Sequence, residues 1–173
     1  MSEYFVPNLS DIDYSKISLC SRVIIDGDGG CRKTSLIAPA IADKIKGKVV
    51  SIDDFMFEPD HPQWDRERPY WDQLDYERLH HEITAAGARV VIEGVCVLKV
   101  IGKMGVQFDY HIFTKLVNDD NTFNQWDYEE YLNEEVPLPS RGLRRHIAAY
   151  YREFRPFEHC NLVIERHISP SAD

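Results

Sequence analysis

Five short apolar runs rich in β-branched residues punctuate the chain: Arg22 to Asp26, Lys48 to Ile52, Arg89 to Glu93, Tyr110 to Phe113 and Asn161 to Ile164. Continuous apolar runs of this length suit strands of a parallel sheet, which are covered on both faces. Helical patterns lie between them. Thr34 to Lys46 repeats Ile37, Ile41 and Ile45 every four residues beside Leu36 and Ala40, so one face is apolar, and Gly47 closes it. Pro39 interrupts this pattern and predicts a kink, because it removes a helical N–H. Tyr76 to Ala86 carries Leu79, Ile83 and Ala86 and ends at Gly87. Arg141 to Phe154 carries Leu143, Ile147, Tyr150, Tyr151 and Phe154. The alternation predicts an α/β layered fold with right-handed crossovers.

Two stretches fall outside the alternation. Phe55 to Trp71 is rich in Pro, Asp and aromatics, and Asn118 to Pro139 is acidic and polar. Long irregular segments in a compact domain are often functional, and both follow strands, whose carboxyl ends form the binding rim of open α/β sheets. Residues 1–18 read as a surface arm, 19–168 as the domain with a lid at about 118–145, and 169–173 as a tail. At 173 residues the chain suits one domain rather than two. Its net charge of −9 argues against nucleic-acid or anionic-membrane partners. No apolar run approaches the roughly 20 residues of a membrane span. Met1 to Asp13 lacks a signal pattern, so a cytoplasmic location is expected. Cys20, Cys31, Cys96 and Cys160 are scattered, as free thiols in a reducing compartment would be.

The chemistry concentrates after the first strand run. Gly27, Asp28, Gly29, Gly30, Cys31, Arg32, Lys33, Thr34 and Ser35 form a glycine-rich turn leading into a helix. Such a turn points several N–H groups at one anion, and the helix adds its positive end. Lys33 can reach terminal phosphates and Thr34 can hold magnesium by its hydroxyl. The pattern G-x-x-x-x-G-K-[ST] asks for glycine where this chain has Arg32. Cys31, near a helix N-terminus, is expected to be sensitive to alkylation. Asp53 and Asp54 end the second strand run and Glu93 the third. In a parallel sheet those ends share the rim with the turn. A carboxylate near magnesium and another that accepts a hydroxyl proton are what phosphoryl transfer needs. Phe55, Phe57, Trp64, Tyr70 and Trp71 either cage a planar ring or cap the sheet edge. His80 and His81, adjacent in a helical pattern, are expected at the surface.

The turn, Ser51-Ile52-Asp53-Asp54-Phe55 and Val91-Ile92-Glu93-Gly94-Val95 together resemble the uridine kinase and phosphoribulokinase branch of the P-loop kinases. Trp71-Asp72-Gln73-Leu74-Asp75 looks like the link before that branch's second helix, and Arg141-Gly142 with Tyr150 to Pro156 is similar to its lid and following helix. The resemblance implies a five-stranded parallel sheet flanked by helices and ATP- and Mg2+-dependent phosphorylation of a nucleoside or similar hydroxyl compound. It implies Asp53 as base, Lys33 on the β- and γ-phosphates, Thr34 and Glu93 at the metal, and Arg141 and Arg145 as lid arginines. Asp53, Asp54, Phe55, Tyr70, Trp71 and Glu93 then surround the acceptor. A kinase of pantothenate, a sugar or nicotinamide riboside, and a nucleotide-binding regulator without activity, stand beside this reading. The acceptor and any assembly into a homo-oligomer are left open by the sequence.

Overall fold

The computed structural model describes residues 5–6, 9–27, 29, 31–65, 67–117, 132–133, 135, 137–138 and 142–167. All five expected strands form, as β2 (Arg22–Gly27), β3 (Lys48–Ser51), β4 (Val90–Glu93), β5 (Tyr110–Val117) and β6 (Leu162–His167). A two-residue strand, β1 (Phe5–Val6), is added at one edge. The order is β1-β6-β5-β2-β4-β3 and every pair is parallel. The helices are α1 (Tyr14–Ile17), α2 (Ala38–Ile45), α3 (Tyr76–Ala85), α4 (Val97–Met104), α5 (Leu143–Phe154) and α6 (Pro156–His159).

Strand periodicity divides the core in two. Val23 and Ile25 of β2 pack with Ile37, Ile41 and Ile45 on the α2 side. Ile24, between them, packs with Leu79 and Ile83 of α3, Val97 and Val100 of α4, and Tyr150 and Tyr151 of α5. The result is a three-layer α/β fold. At about 1.5–3 kcal/mol per fully buried large apolar side chain, these two clusters supply the main drive for folding.

The amino-terminal segment is more than a surface arm. Phe5 and Val6 pair with Val163 and Ile164, and Ile12 and Ile17 are buried in the α2-side core. Apolar residues spaced too irregularly for a long element still bury individually, which periodicity alone does not register. Helix α4 was also unforeseen. Val97-Leu98-Lys99-Val100-Ile101 is a short apolar run that reads equally as strand or helix. Parallel pairing of β4 with β2 leaves the next segment to cross over a sheet face, and there it is helical. Among the described residues no helix is long and apolar enough to cross a membrane.

Candidate active site

β4 lies between β2 and β3, with Ile25 and Ser51 on either side of Glu93. The carboxyl ends of these three strands therefore converge on one rim. β2 ends at Gly27, whose φ is 121°. A Cβ there would stand 2.0 Å from the Thr114 carbonyl oxygen of β5, so only glycine fits. The chain then passes through exposed Gly29 to Cys31, which is fully buried. Asp28 and Gly30 lie outside the described residues. Burial overturns the expectation of an alkylation-sensitive Cys31.

Arg32 has φ 58° and ψ 36°, the left-handed conformation. The position where the sequence lacks the pattern's glycine is thus one whose backbone suits glycine. Cys96, which precedes α4 on the same rim, is also left-handed, at φ 56°. After Arg32 the chain makes one wide turn over Lys33–Ile37, in which the Arg32 carbonyl accepts from Leu36 N at 3.0 Å and Ile37 N at 3.2 Å. This turn absorbs the proline. Pro39 falls in the first turn of α2, directly after this wide turn, so the irregularity expected of proline lies at the junction of the two.

The Lys33 side chain is buried and its Nζ donates to the Gly27 carbonyl at 2.9 Å. Thr34 Oγ1 donates to Glu93 Oε1 at 2.8 Å, which joins the turn to the end of β4. Glu93 is 1% exposed. A hydroxyl and a carboxylate are the hard oxygen donors that magnesium takes. Ser35 is exposed on the same turn.

Beneath the turn lies a carboxylate that the sequence did not single out. Asp26 is fully buried. Its Oδ1 accepts from Gly27 N at 2.7 Å, and its Oδ2 accepts from the Tyr150 hydroxyl of α5. Tyr150 also accepts from Leu98 N of α4 at 3.3 Å. Burial pushes the Asp26 carboxyl up, opposed by the Tyr150 and Gly27 hydrogen bonds and the Lys33 charge. Burial, then the Asp26 charge, pushes the Tyr150 phenol well up. One buried pair therefore ties the glycine-rich turn, α4 and α5 together. An aspartate inside the run Val23-Ile24-Ile25-Asp26 was the signal available.

On β3's side, Asp53 stands in a 3-10 turn, Ile52–Phe55. Its Oδ1 accepts from the Tyr70 hydroxyl. Tyr70 is buried, and burial, followed by the Asp53 and Glu93 charges, raises its pKa far above the ordinary value. Both carboxylates therefore act on one hydroxyl. Asp53, Tyr70, Trp64, Arg68, Gln73 and His146 line a cleft of about 540 Å³, with Met56, Val95, Gly142 and Leu143. An adjoining cleft of about 440 Å³ is lined by Trp71, Arg145 and His146 among others.

The predicted aromatic group divides. Tyr70 and Trp64 line the first cleft and Trp71 the second. Phe57 stacks on His61 with centroids 4.2 Å apart. Phe55, expected at the acceptor, is buried in the core, its ring 5.0 Å from the Arg78 guanidinium. The short 3-10 turn rotates successive side chains by about 120°, so Asp53 reaches the cleft while Phe55 faces the core. Asp54 is exposed. Arg145 is exposed at the second cleft, and Arg141 lies outside the described residues, as does most of the lid at 118–145. His80 and His81 are exposed on α3. All four cysteines are free.

The fold is α/β, with an all-parallel sheet flanked by helices. Among solved structures it is similar to a protein described as a possible uridine kinase from Bacillus stearothermophilus, with 14% identity and a TM-score of 0.52. The match covers 83% of this chain and 87% of that one. At that identity the likeness is one of fold. No protein-family model matches the chain, and no curated protein matches its sequence.

Proposed function

We propose that the protein is a phosphotransferase that moves the terminal phosphoryl group of ATP to a hydroxyl of a small metabolite, with a nucleoside as the leading acceptor. The observation that carries this reading is the 2.8 Å contact of Thr34 Oγ1 with Glu93 Oε1, beside a cleft that holds Asp53. It supports the reading because the glycine-rich turn, Glu93 and Asp53 lie at the ends of three neighbouring strands, where phosphates, a metal and an acceptor could meet. In this reading the turn at residues 27–35 binds the phosphates through its N–H groups. Lys33 leaves the Gly27 carbonyl for the β- and γ-phosphates. Thr34 and Glu93 would hold magnesium, which when bound neutralises charge on the transferring group. Asp53 accepts the acceptor hydroxyl proton. Tyr70 occupies Asp53 Oδ1 and fixes the carboxylate's orientation, leaving Oδ2 for the acceptor. Arg145 meets the acceptor or the phosphoryl group from the α5 side.

The test is phosphoryl transfer from Mg-ATP to a panel of nucleosides, nicotinamide riboside, pantothenate and sugars. One acceptor should stimulate ADP release, and Asp53→Asn should lower kcat by about 100-fold or more, the usual contribution of a general base. Absence of a thermal shift with any nucleotide, with or without magnesium, overturns the reading.

A second reading rests on Lys33. Its ammonium is held on its own loop at Gly27. A nucleotide-binding regulator would keep it there and bind ATP without acceptor-stimulated turnover.

A further inference from the structure

Strand β2 carries Val23, Ile24 and Ile25 into the sheet interior, and then a carboxylate, Asp26, that is buried as fully as they are. Packing alone does not call for a carboxylate there. Burial acts against its charged form, and an apolar side chain of the same branched shape would carry no such cost. Asp26 is nevertheless well supplied with donors. Gly27 N serves Oδ1 at 2.7 Å, the Tyr150 hydroxyl serves Oδ2, and the Val97 N–H at the start of α4 also favours the charged form.

The peptide that follows Asp26 is gripped at each polar atom. The Asp26 carbonyl accepts from Thr114 Oγ1 at 3.1 Å, and the Gly27 N–H donates to the Asp26 carboxylate. The Gly27 carbonyl accepts from Lys33 Nζ at 2.9 Å. Contacts therefore run from Tyr150 through Asp26 and Gly27 to Lys33. In the mechanism proposed above, Lys33 leaves Gly27 for the phosphates. The carbonyl then loses its grip, while the Asp26 carboxylate keeps the N–H. The glycine-rich turn departs from this peptide, so its orientation sets where the following N–H groups point. Tyr150 fixes the carboxylate in turn. Without its hydroxyl, Oδ2 loses the partner that stops the group from rotating. Tyr150 is itself held, by Leu98 N at 3.3 Å and by the Phe154 ring with centroids 5.1 Å apart. It lies one helical turn beyond His146, which borders the cleft that holds Asp53.

We propose that Asp26 and Tyr150 are positioning residues for the nucleotide. They touch no phosphate. They fix the Gly27 peptide, and so aim the turn's N–H groups and keep the turn in shape when Lys33 departs. This rests on the reading that the turn binds nucleotide, and adds that its affinity is set from α5. Groups that hold a binding constellation in place contribute through pre-organisation, and small misplacements are costly.

The experiment measures binding of Mg-ATP and of magnesium tripolyphosphate by calorimetry, with stability read separately by denaturant titration. Circular dichroism establishes that each variant is folded under the binding conditions. Tyr150→Phe should weaken both probes by about 10-fold, the worth of one hydrogen bond to a charged group. Asp26→Leu, with the same branched shape and no acceptor oxygen, should lose at least as much. Asp26→Asn keeps an oxygen for the Gly27 N–H; it should lose stability yet bind within about threefold of the wild type. Ile83→Ala, which removes core packing on α3, should lose stability and leave both affinities unchanged, as any purely structural loss would. The comparison of Asp26→Asn with Asp26→Leu decides the matter if Tyr150→Phe does not fold. Wild-type affinity in folded Tyr150→Phe or Asp26→Leu overturns the proposal, and the pair is then structural. Weaker Mg-ATP binding with unchanged tripolyphosphate binding also overturns it, because the effect then lies at the nucleoside end. The expected order of affinities without phosphoryl transfer to any acceptor sinks the phosphotransferase reading and leaves the pair in its role. Binding of neither probe by the wild-type protein overturns both.

Discussion

Replacing Arg32 by glycine tests the left-handed geometry of the glycine-rich turn. Arg32 holds φ 58° and ψ 36°, close to the centre of the left-handed region. An L-residue there loses about 1–2 kcal/mol through the approach of Cβ to its own backbone. Glycine avoids that clash but gives up about 0.5–1 kcal/mol of backbone entropy on folding. The difference is a gain of up to about 1.5 kcal/mol for Arg32→Gly, centred near about 0.7. For a chain of this size that moves the thermal midpoint up by about 2 °C. Arg32 is exposed, so little packing is lost with the side chain. Arg32→Val puts a β-branched residue into the same conformation and should lose about 1 kcal/mol relative to the wild type. Denaturant titrations should therefore rank glycine above arginine above valine, with unchanged m-values. ATP affinity should be retained or improved in Arg32→Gly. A valine variant as stable as the wild type, or a glycine variant weaker by about 1 kcal/mol, refutes the left-handed turn. A sharp loss of ATP binding in Arg32→Gly makes the guanidinium itself a phosphate ligand.

Three further outcomes are expected. Burial, with a smaller contribution from His159, lowers the His111 pKa from 6.5 to about 4, so the folded chain binds fewer protons than the unfolded chain between those values and stability falls as pH drops through the window. A gap of about 2.5 pH units at about 1.4 kcal/mol each bounds the loss at about 3.5 kcal/mol; His111→Leu should flatten that acid limb in denaturant titrations at pH 7 and pH 4.5. Tyr150→Phe removes the hydroxyl that donates to buried Asp26, which should raise the Asp26 pKa further and cost about 2 kcal/mol at pH 7, read from the same titrations. Because the Asp26 pKa is already raised, its contribution to stability is full below about pH 3.8 and diminishes as pH rises towards the folded value, so the Tyr150→Phe deficit should shrink in acid. Gly27→Ala meets the Thr114 carbonyl at 2.0 Å and φ 121°, and should cost about 3 kcal/mol or more, seen as a collapse of soluble folded protein in thermal melts.

The central parallel strands were legible because burial on both faces leaves no polar alternation to confuse them. Val23-Ile24-Ile25 and Val90-Val91-Ile92 read directly as sheet interior, while β3 at the edge keeps Val50 buried and leaves Val49 exposed. Lys33, Thr34 and Glu93 were legible for a related reason: a glycine-rich turn after a strand, and an acid at a strand end, are local facts, and parallel pairing brings local ends to one rim. Residues with no local signature were not. Gln73 looks like any polar residue in a link, and only its hydrogen bonds with Phe57 and Arg68 in the folded chain bury it. Phe55 and Tyr70 carry the same aromatic signal, yet one fills the core and the other holds Asp53.

What the chain's residue order determined, then, was the alternation of strand and helix, the glycine-rich turn and the acids at the strand ends beside it, all set by interactions within a few residues. The tertiary structure decided which of those groups are buried, left-handed or unpaired. Asp26 meets Tyr150 across 124 residues, and such an encounter depends on how α5 crosses the sheet, which no local pattern encodes.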